Sequence, residues 1–364
     1  MMMLSTSRLV ESHLVTSVPL AEDYVRVLAG QCNVQVHLLK GGAGRGLSGM
    51  LSALSGIGDV LKTLQPDVVH VHGAWDWRAA MMERLARRRG IVTLVSPHRG
   101  MSSELLNIDF WSVRLPRLIA YQALMVRNCT AVIAVSDKER DDIMALGLKK
   151  RIEVLPAMSQ GEGNMERLGA ALVTCYRKAL DSTYARKLTQ RERDVVAIAL
   201  RSVVADDDVE TTMPDIQGVS FRRIYFHAHD EDVMRQFIDG CRKMQIQAPP
   251  PLNVTEVPRY RNPKAKALGA LAGMPGEPDM RKIPADREAE RHAVRLIYKA
   301  RALALQRLTL RQYAELYALF RHADFDEGMV ADELRRLRLL RFTRRLQRRL
   351  AEMFGLKAGY NITE

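Results

Sequence analysis

Two histidines mark the stretch of sequence with the clearest capacity for chemistry. His70 and His72 lie in residues 66–73, PDVVHVHG, a short valine-rich run that ends in a glycine. Such a run is typical of a strand buried in a parallel sheet, where residues two apart project to the same face. Ligands of open α/β sheets bind beyond the carboxyl ends of the strands. The pattern therefore predicts that His72, beside Gly73, contacts a substrate, and that His70 lies deeper as a core histidine.

Metal or redox chemistry is a weaker interpretation of the same stretch. Two imidazoles at i and i+2 can ligate a metal, but no third ligand is apparent nearby in the sequence. Cys32, Cys129, Cys175 and Cys241 are scattered and form no C-x-x-C pair. This spacing argues against a zinc or redox motif and favours a reducing compartment. We therefore predict neither a bound metal nor a bound cofactor.

The elements that would position the histidines alternate regularly along the chain. Strand patterns occupy residues 9–17, 33–39, 68–72, 91–95, 131–135 and 151–155, with helical patterns at 21–29, 47–64, 75–89, 115–127 and 137–146. Strands that alternate with helices of this length predict βαβ units and hence a parallel sheet. The expected fold class is α/β, with a Rossmann-like parallel sheet in an N-terminal domain of residues 1–158.

Four motifs in this domain carry a family resemblance. They read PDVVHVHG, GIVTLVSPHRG, AVIAVSDKERDDIMALGL and RIEVLP, and they begin at residues 66, 90, 131 and 151. In this order and spacing they resemble the N-terminal domain of family-4 glycosyltransferases, which have the GT-B fold. The resemblance implies that the chain begins with one half of a GT-B fold.

The resemblance also assigns roles to residues. His98 matches the family histidine at the mouth of the cleft, which contacts the donor sugar, and is the predicted catalytic residue. The predicted substrate-binding residues are His72, Gly73, Arg99, Gly100 and Ser136. The implied reaction moves a sugar from a nucleotide-sugar donor, a co-substrate, to a hydroxyl of a glycan or lipid-linked acceptor. It implies retention of configuration, no required metal and a place in glycan biosynthesis.

The resemblance ends after Pro156. The family's second domain holds the nucleotide sugar with a Gly-Arg…Lys-Gly segment and two glutamates eight residues apart, and neither pattern occurs after residue 160. We predict an atypical mixed region at 159–285, with one strand at 221–228 and a Pro-rich connector, and a basic helical tail at 286–364. The chain is then expected to be a weak or inactive transferase on its own, with a partner chain supplying the donor site. The alternatives are a non-catalytic glycan-binding or partner-binding protein derived from the same fold, and a basic adaptor for a membrane surface or nucleic acid.

The tail carries much of the positive charge of the chain, which has a formal net charge of +13. Leu339, Phe342, Leu346, Leu350 and Met353 form one apolar stripe at helical spacing, and the Arg335–Arg349 segment is rich in arginine. The first interpretation is a helix packed on its own domain with a solvated basic face. The second is a helix that lies on an anionic membrane surface.

Two further motifs receive weaker interpretations. Residues 41–46, GGAGRG, follow a predicted strand and either cradle a phosphate or form a flexible loop. Residues 188–196 resemble the opening of LuxR-type helix-turn-helix domains, but no recognition helix follows at the expected distance, so nucleic-acid binding is not predicted. The chain shows no signal-peptide pattern and no apolar run of transmembrane length. We expect a cytoplasmic protein, or one peripheral to the inner face of a membrane.

Overall fold

A computed structural model describes residues 10–17, 20–32, 34–39, 47–106, 108–148, 151–155, 164–205, 213–260, 269–360 and 362. The chain forms two compact units. The first comprises residues 1–186 and 258–260, and the second comprises residues 187–257 and 261–364.

The first unit is built from parallel strands joined by helices. Its elements are β1 (Ser12–Thr16), α1 (Glu22–Cys32), β2 (Val34–Leu38), α2 (Leu47–Leu64), β3 (Val68–His72), α3 (Trp77–Arg88), β4 (Val92–Ser96), α4 (Ser103–Leu106), α5 (Leu115–Arg117), α6 (Ala123–Asn128), β5 (Ala131–Ala134), α7 (Asp137–Ala145), β6 (Ile152–Val154), α8 (Asn164–Ser182) and α9 (Tyr184–Lys187). β1 and β2 form a two-stranded sheet, and β3, β4, β5 and β6 form a four-stranded sheet in that order. All four strand pairings are parallel. The predicted Rossmann-like parallel sheet is confirmed.

The four-stranded sheet is covered on both faces, which explains its apolar strands. On one face, Val71, Val95 and Val132 pack with Met125 and Ile143 of the flanking helices. On the other, the buried residues of β4 and β5 pack against α8; this cluster includes Val92, Leu94, Ala131, Ile133, Leu168, Leu172 and Ala179. α8 lies beyond the four motifs in sequence, yet it forms one wall of the N-terminal unit.

The second unit is helical. Its elements are α10 (Gln190–Val204), α11 (Phe221–Asp230), α12 (Met234–Lys243), α13 (Glu288–Leu303), α14 (Leu310–His322), α15 (Glu327–Arg336) and α16 (Leu340–Phe354). Thr189 and Glu192 form a capping box that starts α10. Within the described part of the chain after residue 160, helices and turns are present and no strand is found. The predicted helical C-terminal region is confirmed, and a second parallel sheet is not seen in that part.

The predicted strand at 221–228 is wrong, because these residues form α11. Its aromatic and β-branched residues favour a strand by composition. However, Ile224, Tyr225 and Ala228 are buried at the spacing of one helical face. The helical period of the apolar residues therefore overrides their strand propensity, and the described residues of this region contain no βα unit.

The predicted apolar stripe of the tail is largely buried inside the second unit. Leu339, Phe342, Leu346 and Leu350 are all buried. The basic segment is not one helix, because α15 ends at Arg336 and the chain turns at Arg338, which has a φ of 58°. The stripe therefore packs on its own unit, as the first interpretation predicts, and the basic side chains stay on the outside.

No helix among the described residues combines the length and the apolar character needed to cross a membrane. The glycine-rich motif at 41–46 lies outside the described residues.

Candidate functional site

The carboxyl ends of β3 and β4 bring the predicted site residues together. His72 pairs in register with Ser96, and the Gly73 amide donates to the Ser96 carbonyl at 2.8 Å. The His70 and His72 ring centroids are 4.2 Å apart, so the two side chains share one face of the sheet as predicted. His98 follows β4 by two residues. The register of two parallel strands thus places three imidazoles at one edge of the sheet.

His72 and His98 form a stacked, hydrogen-bonded pair. The His72 Nδ1 atom lies 2.9 Å from the His98 Nε2 atom, and the rings are 12° from parallel. One of these nitrogens donates and the other accepts, so at least one ring of the pair is neutral. Both residues reach solvent at the sheet edge, but the stacked rings cover part of each other, and His70 packs against His72. The pair thus presents two imidazoles to a ligand at the mouth of the strands.

The surroundings of these rings favour neutral histidines. Loss of solvation together with a smaller effect of the neighbouring His98 lowers the pKa of His72 to about 4. Burial also lowers the pKa of His98, against an opposing effect of Glu139. Burial lowers the pKa of His70 well below its usual value, with smaller contributions from the other two rings. At neutral pH the cluster offers hydrogen-bonding imidazoles and no cation.

The turn that carries His98 is conformationally strained. His98 has a φ of 50° and Arg99 a φ of 63°, and the Gly100 amide donates to the Pro97 carbonyl at 3.0 Å. Positive φ at two successive side-chain-bearing residues is costly and is often found at functional sites. A Cβ atom on Gly100 would lie 2.8 Å from the Pro97 oxygen and 2.9 Å from the Ala74 Cβ. Close packing therefore requires a glycine at position 100. Its role is to allow the turn that carries His98.

The loop after β3 braces this turn. Trp75, with a φ of 69°, donates from its Nε1 atom to the Gly100 carbonyl at 2.6 Å. Its amide donates to the buried Gln122 side chain at 2.9 Å, and its carbonyl accepts from the Tyr121 hydroxyl at 2.7 Å. The Arg114 guanidinium stacks on the Trp75 ring at 5.0 Å. The two loops that end β3 and β4 are thus held together by one tryptophan.

Glu139 is the main residue of the site that the sequence analysis missed. Its carboxylate is buried, with 2% exposure, and accepts from the Arg99 amide at 2.5 Å and the Val135 amide at 2.8 Å. The Ser136 hydroxyl caps α7 by accepting from the Glu139 amide at 3.2 Å. Ser136 and Glu139 have the S-x-x-E spacing of a capping box, in which the glutamate would accept from the Ser136 amide. Here the Glu139 carboxylate accepts from the Arg99 and Val135 amides instead, and so holds the turn of His98. Glu139 is therefore a positioning residue.

A pocket of about 270 Å³ opens beside this turn. It is lined by Arg99, Ser102, Val135, Ser136, Lys138, Glu139 and Asp142. One carboxylate oxygen of Asp142 is buried there without a hydrogen-bond partner among the described residues. Ser136 and Arg99, both predicted to bind substrate, thus share one pocket wall, and Asp142 adds an acceptor that the sequence did not indicate. Hydroxyls, carboxylates and cations together suit a ligand with many hydroxyl groups.

His70 is a hydrogen-bonded core histidine, as predicted. Its two ring nitrogens lie 2.8 Å from the Tyr176 hydroxyl of α8 and 2.8 Å from the Ser96 hydroxyl of β4. One nitrogen donates and the other accepts, so a neutral ring satisfies both hydroxyls. His70 therefore links α8 to the strand that ends at the site.

We expect His70→Ala to destabilise the first unit by about 2 kcal/mol, because the buried Ser96 hydroxyl and the partly buried Tyr176 hydroxyl both lose their partner. Tyr176→Phe removes one of the two hydrogen bonds and should cost about 1 kcal/mol. Chemical unfolding followed by tryptophan fluorescence measures this unit alone, because the tryptophans of the chain are Trp75, Trp77 and Trp111. Equal losses for the two variants would contradict the bridging role of the imidazole.

The lowered histidine pKa values predict a pH-dependent stability. As the pH falls from 6.5 towards 4, the unfolded chain binds a proton at His72 that the folded chain does not bind. The lowered pKa of His70 acts in the same direction, so stability falls as the pH falls through this window. Each such group contributes at most about 1.4 kcal/mol per pH unit, and solvent screening reduces the share of the exposed His72. His72→Asn should flatten the pH profile of the melting temperature, and His322→Asn, in the second unit, should leave it unchanged. A His72→Asn profile that overlays the wild-type profile would rule out this titration.

Among the residues that the structure describes, no group of three or more histidine, cysteine, aspartate or glutamate side chains is placed to hold a metal ion.

Comparison with known proteins gives one match. Residues 7–157 match the family described as a glycosyl transferase 4-like domain. No curated protein and no solved structure matches the chain. The match covers the unit that contains His72 and His98, and it confirms the resemblance drawn from the four sequence motifs.

Proposed function

We propose that this chain, whose residues 7–157 match the glycosyl transferase 4-like family, transfers a sugar from a nucleotide-sugar donor to a hydroxyl acceptor. The acceptor is a glycan or a lipid-linked hydroxyl, and configuration is retained, as the resemblance implies. The observation that carries the proposal is the stacked His72–His98 pair at the carboxyl ends of β3 and β4. This is the edge at which α/β sheets bind their ligands.

The electrostatics of the pair support a hydrogen-bonding role for His72. A general base works best when its pKa is near the working pH. A pKa of about 4 makes His72 a poor proton acceptor at neutral pH. Neutral imidazoles can instead donate to and accept from sugar hydroxyls, and they add no positive charge beside a developing oxocarbenium-like centre. We assign to His98 the contact with the sugar that reacts, and to His72 the orientation of the His98 ring.

The pocket beside His98 supports a polyhydroxylated ligand. Arg99 and Lys138 both lie close to Glu104, so their charges are partly compensated. Asp142 lines the pocket and supplies a carboxylate acceptor for a ligand hydroxyl. A sugar fits these groups better than a bare anion, because the buried acceptors Glu139 and Asp142 would repel negative charge.

The second candidate function is a non-catalytic glycan-binding protein. One observation favours it. The described residues after 160 contain helices and no strand, whereas a usual GT-B donor domain contains several βα units. Under this alternative the His72 edge binds a glycan and no nucleotide is turned over. Under the first proposal a partner chain supplies or completes the donor site.

The release of nucleoside diphosphate from uridine and guanosine diphosphate sugars separates the two functions. The purified chain, with and without a candidate acceptor glycan, should release one nucleoside diphosphate slowly but above the rate without protein. Calorimetry with uridine and guanosine diphosphates should show binding of the same nucleotide. Glycan binding without binding or turnover of either nucleotide would favour the non-catalytic protein.

A further inference from the structure

The second unit contains a basic pocket that the proposed transfer reaction does not use. It has a volume of about 300 Å³ and is lined by Leu305, Tyr313, Arg345, Arg348, Arg349 and Glu352. The last four residues lie on α16, at positions that share one side of the helix. Tyr313 of α14 is buried and lines the pocket, and its hydroxyl donates to the Leu305 carbonyl at 2.7 Å.

The cations of this pocket outnumber its anions. Arg349 contacts Glu352 at 3.0 Å and is also hydrogen-bonded to the Tyr313 side chain. Arg345 donates only to the Arg341 carbonyl, at 3.4 Å, and neither Arg345 nor Arg348 has a carboxylate partner among the described residues. Three guanidinium groups thus face one carboxylate. Like charges at this spacing repel one another. A negatively charged ligand relieves this repulsion, so the pocket should bind an anion more tightly than a neutral ligand.

The helix that carries the arginines is held firmly at its end. Arg201 of α10 donates to the Glu352 carbonyl at 2.9 Å and to the Met353 carbonyl at 3.1 Å. Gly355, with a φ of 76°, closes the helix. On the inner side, Leu346 and Leu350 are buried. The backbone that carries the arginines is therefore anchored before a ligand arrives, which lowers part of the entropic cost of binding.

We propose that Arg345, Arg348 and Arg349 bind a phosphate or diphosphate group in this pocket. Guanidinium groups bind phosphate oxygens through paired N–H donors, and Arg345 and Arg348 have no carboxylate partner among the described residues to occupy theirs. A pocket of about 300 Å³ suits a compact phosphate group better than an extended nucleic-acid strand. The phosphate belongs to a soluble ester or to a lipid headgroup, two sources with the same recognition chemistry.

Calorimetry with inorganic pyrophosphate at physiological salt tests the site. Arg345→Gln and Arg348→Gln should each weaken binding by about tenfold or more, since each removes a charge-assisted contact. Arg235→Gln is the matched control, because Arg235 is a highly exposed arginine of the same unit that does not line the pocket. The control should bind as the wild type does, and so should His98→Ala, which separates this site from the proposed transferase site.

Two further titrants identify the source of the phosphate. A soluble nucleoside diphosphate and vesicles containing an anionic phospholipid are titrated against the same variants. The source of the phosphate is the titrant whose binding weakens when Arg345 or Arg348 is replaced. No binding of pyrophosphate by the wild type would overturn the proposal. Equal weakening by Arg235→Gln, or displacement of pyrophosphate by duplex DNA with a strong salt dependence, would overturn it as well.

Discussion

His98→Ala should lower the rate of sugar transfer by about 100-fold or more, the usual cost of removing one hydrogen-bonding group from a reacting centre. The change removes the imidazole that stacks on His72, while the exposed position leaves the core intact. The melting temperature of the first unit should therefore change by only a few degrees. Initial rates of nucleoside diphosphate release measure the first effect, and tryptophan fluorescence measures the second.

The control for this experiment is His37→Ala. His37 forms a similar histidine pair, with its Nε2 atom 3.0 Å from the His13 Nδ1 atom, between β1 and β2. Deleting this ring removes an equivalent contact from the other sheet of the unit and should leave transfer near the wild-type rate. If His98→Ala retains the wild-type rate, or if both variants lose activity equally, His98 does not contact the reacting sugar.

Glu139→Ala should be the most destabilising substitution near the site and should also remove activity. The Arg99 and Val135 amides would lose a buried, charged acceptor, at a cost of about 3 kcal/mol to the first unit. The turn at His98 would lose the contact that holds its two left-handed residues, so those residues would relax. Urea unfolding monitored by tryptophan fluorescence gives the stability loss, and a KM and kcat analysis gives the effect on transfer.

Glu139→Gln separates the two roles of this carboxylate. One amide oxygen can still accept from one N–H group, whereas the side-chain NH₂ faces the other donor, so stability should fall by about half as much. Because the turn would be partly held, kcat should fall less than in Glu139→Ala. A Glu139→Gln variant with wild-type stability but no activity would instead place Glu139 in contact with substrate.

Local sequence patterns predicted the parallel strands of the first unit but not α8, which packs on β4 and β5 from beyond the predicted boundary at residue 158. Short apolar runs rich in β-branched residues predicted strands β3 to β6, and the i, i+2 spacing placed His70 and His72 on one face. The partners of His70 could not be predicted, because Tyr176 lies 106 residues away on a helix beyond the family motifs. Glu139 was missed for a similar reason, since its carboxylate bonds to Arg99 across the fold.

The second unit was harder to predict, because its composition and its periodicity disagree. Residues 221–228 have the composition of a strand and the burial pattern of a helix, and tertiary packing decides in favour of the helix. The break at Arg338 carries no glycine or proline, so the division between α15 and α16 has no local signal. The missing donor-site motifs of the family predicted the character of the second unit better than any pattern within it. They are missing from a region whose described residues form helices and no strand.

The nitrogen chemical shifts of the histidine rings show whether a sugar binds at the His72–His98 edge of the sheet. The chain has nine histidines, so selective ¹⁵N labelling gives a small set of ring signals that single-histidine variants can assign. On titration with the nucleotide sugar that the chain turns over, or with the glycan that it binds, the ring nitrogens of His72 and His98 should shift in a saturable way. The His13 and His37 signals should not move. Saturable binding that leaves the His72 and His98 signals unmoved would contradict the assignment of the sugar site to this edge of the sheet.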